Sequence, residues 1–216
     1  MGHLLEINSK KYAFIHIPKC GGSFFKSIFG LGEKEAIVPS VSILVPSRNG
    51  HMTYAQFVNQ CIRKLHLGNV EDYEFIAIVR NPWARMVSDY FYIGQTDPQN
   101  HGNGEVHRLI NSGEWSFKDY VKEAVSRAES SNEGTTMWSY LIDADGKLAV
   151  EHIFKMETLN KDIEEFLLKN GVDYKIDQEK INTSKHEHYR SYYDDESREL
   201  VRDFEIDTIN HFGYEF

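Results

Sequence analysis

Three sets of residues have types and spacings suited to chemistry. The first is Lys19 within Pro18-Lys19-Cys20-Gly21-Gly22-Ser23. It lies between an apolar run, Tyr12 to Ile17, and the helically spaced Phe24, Phe25, Ile28 and Phe29. The run is rich in β-branched and aromatic residues and reads as a buried strand. Pro18 ends it, Gly21-Gly22 permits a tight turn, and Ser23 reads as the N-cap of a helix. In a strand, glycine loop and helix, successive N–H groups and the positive end of the helix face one place and bind an anion. Lys19 adds a point charge for a phosphate-like group. The second set is Arg80, at the end of the apolar run Tyr73 to Val79, with Asn81-Pro82 to cap and open a helix and Ser88 two turns along it. Arg suits planar, charge-assisted contact with phosphate. The third is His51, whose imidazole titrates near neutral pH.

The elements that position these groups set the wider reading. A nucleotide-kinase loop needs Gly-x-x-x-x-Gly-Lys-[Ser/Thr], with Lys after the glycines and a hydroxyl beside it for Mg²⁺. Here Lys19 precedes the glycines. The order Pro-Lys-x-Gly-Gly-Ser after a strand ending His-Ile resembles instead the 5′-phosphosulfate loop of sulfotransferases that use 3′-phosphoadenosine 5′-phosphosulfate (PAPS). The closest look is to the Golgi-type carbohydrate sulfotransferases and their bacterial relatives. The stretch VRNPWARMVSDYFY, ~60 residues downstream, resembles that family's 3′-phosphate motif, with Arg80 and Ser88 at the matching positions. The tail INTSKHEHYRSYY resembles its Asn-x-Ser-Lys segment. The resemblance is weakest over 94–150, where acceptor contacts are expected.

The resemblance implies a single sulfotransferase domain over 1–216. It implies transfer of a sulfuryl group from PAPS to a hydroxyl of a carbohydrate or small metabolite, leaving the bisphosphate PAP. The implied cofactor contacts are Pro18, Lys19, Cys20, Gly21, Gly22, Ser23 and Phe24 in the loop, Arg80 and Ser88, and Ser184 and Lys185 in the tail. Lys19 would stabilise charge on the leaving oxygen, and His51, standing where relatives place a catalytic His, would be the general base. His101, His107 and Glu105 are rival bases. Two departures stand out. Cys20 replaces the usual Thr, which puts one hydroxyl contact in doubt, and Asn81 replaces the usual Asp, which preserves capping.

Net charge is −9, so no broad basic face for nucleic acid is implied. Two cysteines, Cys20 and Cys61, make neither a disulfide framework nor a metal pattern, and free thiols suit a reducing compartment. His186 and His188 lack further ligands at metal spacing, so no metal is expected. No apolar run reaches the ~18 residues of a membrane span. The Golgi relatives carry an anchor; its lack here favours a cytoplasmic protein or a catalytic domain trimmed of its anchor.

Along the chain, residues 1–11 read as a polar lead-in and Val41 to Val45 as a short strand. Thr53 caps a helix to about Leu67, with Phe57, Cys61 and Leu65 on one face. Helices are expected over 82–93, 116–128 and 158–170, and a last one from Asp194 or Asp195 to about His211. Tyr140 to Ile142 and Leu148 to Phe154 read as strands around Asp145-Gly146. His16 reads as a core histidine. Trp115, Trp138, Tyr92 and Tyr140 read mostly as core or rim. Alternating strands and helices give an α/β class, a three-layer P-loop-like fold with a mostly parallel central sheet flanked by helices. Two other functions stay open: a non-catalytic PAP- or PAPS-binding module, and a divergent nucleotide kinase. Acceptor and oligomeric state are not legible.

Overall fold

The structure is a computed structural model. It describes residues 3–31, 38, 40–46, 51–95, 104–130, 135–176 and 187–216, with 42–46 as backbone alone. The chain forms two compact units, Met1–Arg80 with Ser139–Asn182, and Asn81–Trp138 with Thr183–Phe216.

The first unit is built on a five-stranded sheet. Its strands are β1 (His3–Ile7), β2 (Lys10–Ile15), β3 (Val41–Pro46), β4 (Tyr73–Val79) and β5 (His152–Lys155), in the order β3-β1-β2-β4-β5. β2 pairs in parallel with β4, and β4 with β5. β1 is antiparallel to both β2 and β3. Four strands therefore run one way and β1 alone runs against them, which is the mostly parallel α/β sheet expected. Residues 75–79 of β4 are all buried, as a central strand with both faces covered requires.

Side-chain alternation divides the layers. Tyr12 and Phe14 face α1 (Gly22–Phe29) and α7 (Leu159–Lys169), with Phe14–Phe25 and Tyr12–Phe166 ring centroids at 4.2 and 5.2 Å. Phe75 faces the other side, where Tyr54 and Phe57 of α2 (Tyr54–Phe57) pack on it. Phe25, Ile28 and Phe29 bury one face of α1, each contributing about 1.5–3 kcal/mol.

Several expectations are corrected. The polar lead-in contains β1. Asn8 and Ser9, with φ of 47° and 67°, make the two-residue turn that joins it to β2, because a primed turn matches the twist of the strands. Asn8 and Tyr12 both bond Asn170 at the end of α7, which pins this hairpin. Ser23 is not the N-cap. Gly21, at φ 84°, takes that place and Ser23 sits exposed in the first turn. The helix from Thr53 has the predicted capping residue but lasts four residues, then widens into a π-helical turn, Val58–Arg63. Leu65 falls beyond it, 53% exposed. Tyr140 lies in α6 (Met137–Leu141), and Ile142 and Leu148 make only an isolated bridge before β5.

The second unit is helical. Asn81 Oδ1 accepts from Ala84 N at 3.1 Å and caps α3 (Pro82–Gln95), with Pro82 in the first turn as predicted. α4 (Gly104–Asn111) was not foreseen; α5 (Phe117–Glu129) is capped by Ser116 as expected. Asp194 caps α8 (Asp195–Phe204), and the chain breaks at Glu205 before α9 (Ile206–Phe212), so the single last helix is two. Trp83, Val87, Phe117, Tyr120, Val121 and Val201 centre the core. Glu205 is 1% exposed and accepts from Arg85 at 2.8 Å, Thr208 Oγ1 at 2.6 Å and the Met137 N–H, so its charge is paired where it is buried. Burial pushes its carboxyl up, and Arg85 opposes this.

Candidate active site

Pro18 to Gly22 cross from the end of β2 to the start of α1. Lys19 and Gly21 have φ of 63° and 84°, and Cys20 between them does not have positive φ. Two left-handed residues flanking Cys20 turn the chain sharply between β2 and α1, a loop type whose N–H groups can face an anion. Lys is an uncommon residue in this region, and the strain, on the order of 1–2 kcal/mol, is located at the functional loop.

Three contacts hold the loop. Arg80, just past β4, donates from Nη1 to the Lys19 carbonyl at 3.1 Å. Extending the β2–β4 register from Ile15–Ala77 brings Pro18 beside Arg80, so the two motifs meet at one sheet edge, where α/β folds bind ligands. Met156 and Leu159 lie against Gly21; a Cβ there would be 2.4 Å from Met156 Sδ. The His16 ring lies against Gly22; a Cβ there would be 2.1 Å from Cδ2 and Nε2. Gly22 is required by close approach and Gly21 by its left-handed backbone.

The Cys20 thiol is buried and turns back onto the Pro18 carbonyl at 3.5 Å. A thiol turned onto the chain's own carbonyl thus stands where the resembled loop has a Thr hydroxyl. Phe24 is half-buried in the first turn of α1.

His51 is exposed, and its Nδ1 lies 2.9 Å from the His16 carbonyl. A carbonyl only accepts, so Nδ1 carries the proton and Nε2 is the basic nitrogen of the neutral ring. The His16 and His51 rings meet edge to face at 4.5 Å. Burial, and then the charge of His51, push His16 down to about 2, so it stays neutral. His16 is a buried histidine as read, but it lies one residue past β2, against the loop and the candidate base. Sequence offered no signal for that pairing across 35 positions.

In the second unit, Ser88 is 6% exposed on α3. Asn111 Nδ2 lies 2.9 Å from His107 Nε2, and Glu105 opens α4. His101, His186, Asn182, Ser184 and Lys185 lie outside the described residues. Trp115 packs on the core, Tyr140 is buried, Trp138 meets His211 at 4.8 Å, and Tyr92 is 39% exposed. Among the described residues, no three His, Cys, Asp or Glu side chains gather as metal ligands, and no helix is long and apolar enough to cross a membrane.

A strand-end glycine loop with an adjoining lysine, tied to an arginine at the next strand end, is an arrangement that suits an anionic ligand. The model of the Sulfotransferase family matches residues 3–213, and the chain belongs to that family. No curated protein matches it.

Proposed function

We propose that the protein moves a sulfuryl group from PAPS to a hydroxyl of a carbohydrate or small metabolite. The observation that carries this reading is the 3.1 Å bond from Arg80 to the Lys19 carbonyl, which unites the two phosphate motifs at one sheet edge. The residues of the first unit fit the donor: the loop N–H groups and Lys19 suit the 5′-phosphosulfate and Arg80 a phosphate, and the resemblance to the 3′-phosphate motif assigns Arg80 and Ser88 to the 3′-phosphate. Pro18 and Phe24 bracket the loop contacts, and Ser184 and Lys185 complete the proposed set. PAPS supplies a sulfuryl group, which joins the acceptor oxygen as its bond to the 5′-phosphate oxygen breaks and PAP leaves.

The chain's own work is positional and electrostatic, as in phosphoryl transfer. The N–H groups of Cys20 to Ser23 hold the phosphate, and Lys19 neutralises charge growing on the leaving oxygen. His51 Nε2 takes the acceptor proton, a role worth ~10²–10⁴ in rate. Cys20 and Cys61 are buried and in no disulfide, in keeping with our placing of the protein in the reducing cytoplasm, and we read the 216 residues as one functional sulfotransferase domain.

Thermal shift with PAP, PAPS, ATP and GTP, with and without Mg²⁺, tests the reading. A PAP-preferring shift that ignores Mg²⁺ is expected, as is loss of sulfation over an acceptor panel in Lys19→Ala with the fold retained. An ATP shift that requires Mg²⁺ would point to a kinase, and PAP binding without turnover on any acceptor to a binding module.

A further inference from the structure

We propose that His16 is the positioning residue for His51, fixing both the direction of its ring and the nitrogen that carries its proton. This rests on the reading of His51 as the base. Two contacts from one residue act together. The His16 carbonyl receives the proton-bearing Nδ1 of His51 at 2.9 Å, and the edge-to-face rings lie 4.5 Å apart. The hydrogen bond anchors one nitrogen and the ring contact sets the tilt, so the two act on the plane of the same imidazole.

His16 can serve as this support because it is itself immobile. It is 9% exposed, stacked on Phe14 at 5.7 Å, and pressed on Gly22, where no Cβ fits. Phe14 in turn stacks on Phe25 of α1. The same ring therefore touches the first residue of α1, which belongs to the phosphate loop, and the base. It holds fixed the separation between the group that binds the donor and the group that deprotonates the acceptor. Being neutral, it also sets no positive charge against the imidazolium that His51 becomes on taking the acceptor proton.

The tautomer is the distinguishing readout. Imidazole in water favours the proton on Nε2, so the Nδ1–H form at His51 reports the clamp. In protein carrying ¹⁵N-histidine, above the ordinary histidine pKa of about 6.5, long-range ¹H–¹⁵N correlation should show His51 as Nδ1–H. His16→Val keeps the backbone carbonyl but deletes the ring that holds the imidazole against it, so part of His51 should leave that bond and return to Nε2–H, and turnover should fall by up to about 100-fold, the loss that an ångström of misplacement can produce. His16→Phe, which restores a flat ring, should recover the Nδ1–H pattern. If His16→Val does not fold, His16→Leu keeps the volume without a flat ring and carries the same expectation. An Nε2–H pattern in the parent protein, or an unchanged pattern in the folded Val or Leu variant, overturns the proposal. The measurement needs neither PAPS nor acceptor, so its failure leaves the transferase reading standing. Failure of the parent protein to bind PAP would remove that reading and leave the tautomer result intact.

Discussion

Gly22→Ala puts one methyl group where the phosphate loop meets His16. The added Cβ would stand 2.1 Å from Cδ2 and Nε2 of the ring and 2.9 Å from Cε1. Nothing there yields easily. The ring is buried, stacked on Phe14 and in contact with His51, and Gly22 opens a helix whose Phe25 and Phe29 are buried completely. Gly22 is not among the residues with positive φ, so the penalty is overpacking, typically about 1–3 kcal/mol. Replacing glycine in a helix returns at most about 0.5–1 kcal/mol. The net loss is then on the order of 0–2.5 kcal/mol. For a chain of this size each kcal/mol moves Tm by about 2–4 °C, so Tm should fall by up to ~10 °C. The displaced α1 start should also weaken PAP binding, seen as a smaller ligand-induced shift in the same scan. Gly21→Ala is the control of a different kind: its Cβ meets the movable end of Met156, but its φ of 84° costs about 1–2 kcal/mol by itself. A Gly22→Ala protein with the parent Tm and the parent PAP shift would refute the packing argument.

Acid should destabilise the fold through His3 and His16. His3 is 2% exposed with neither ring nitrogen hydrogen-bonded among the described residues, and burial, then Lys26, push it down to about 4; His16 goes to about 2. The unfolded chain binds protons that the folded one refuses. Their stabilisation is therefore complete above pH 6.5 and lost as pH falls from there toward 4, by at most about 3 kcal/mol per histidine at 1.36 kcal/mol per unit. Tm measured across that window reads it, and an acid slope that persists in the doubly Phe-substituted protein would count against it. Glu205→Ala leaves Arg85 buried without its carboxylate and strips an acceptor from Thr208 and Met137. It should cost about 3–5 kcal/mol in denaturant unfolding, and a loss under about 1 kcal/mol would show the pair to be incidental.

The readable parts were those where local rules and long-range packing agree. Tyr73–Val79 was read to the residue because a strand buried on both faces is a nearly continuous apolar run, interrupted here only by the exposed Glu74 near its start. Asn81, Ser116 and Asp194 were recognisable as caps because capping is a contact over three residues. β1 was missed although Asn8-Ser9 between two apolar runs is a hairpin signal. The helix after Thr53 was overextended because its periodicity, through Leu65, does not reveal where backbone bonding shifts to the π pattern. The Gly21 cap was missed because Ser23 is the better capping residue by type, whereas the chain's turn demands positive φ.

Sequence by itself determined the chemistry available: a lysine and two glycines between strand and helix, an arginine at a second strand end, and a histidine between them. Those depend on residue type and short spacing, which a linear chain records directly. Only tertiary structure decided that Arg80 reaches the Lys19 carbonyl, that Gly22 leaves room for a histidine ring, and that His16 dictates which nitrogen of His51 is basic. Each joins positions set side by side by strand pairing and helix packing. Those contacts depend on where whole elements dock, and no local periodicity encodes them.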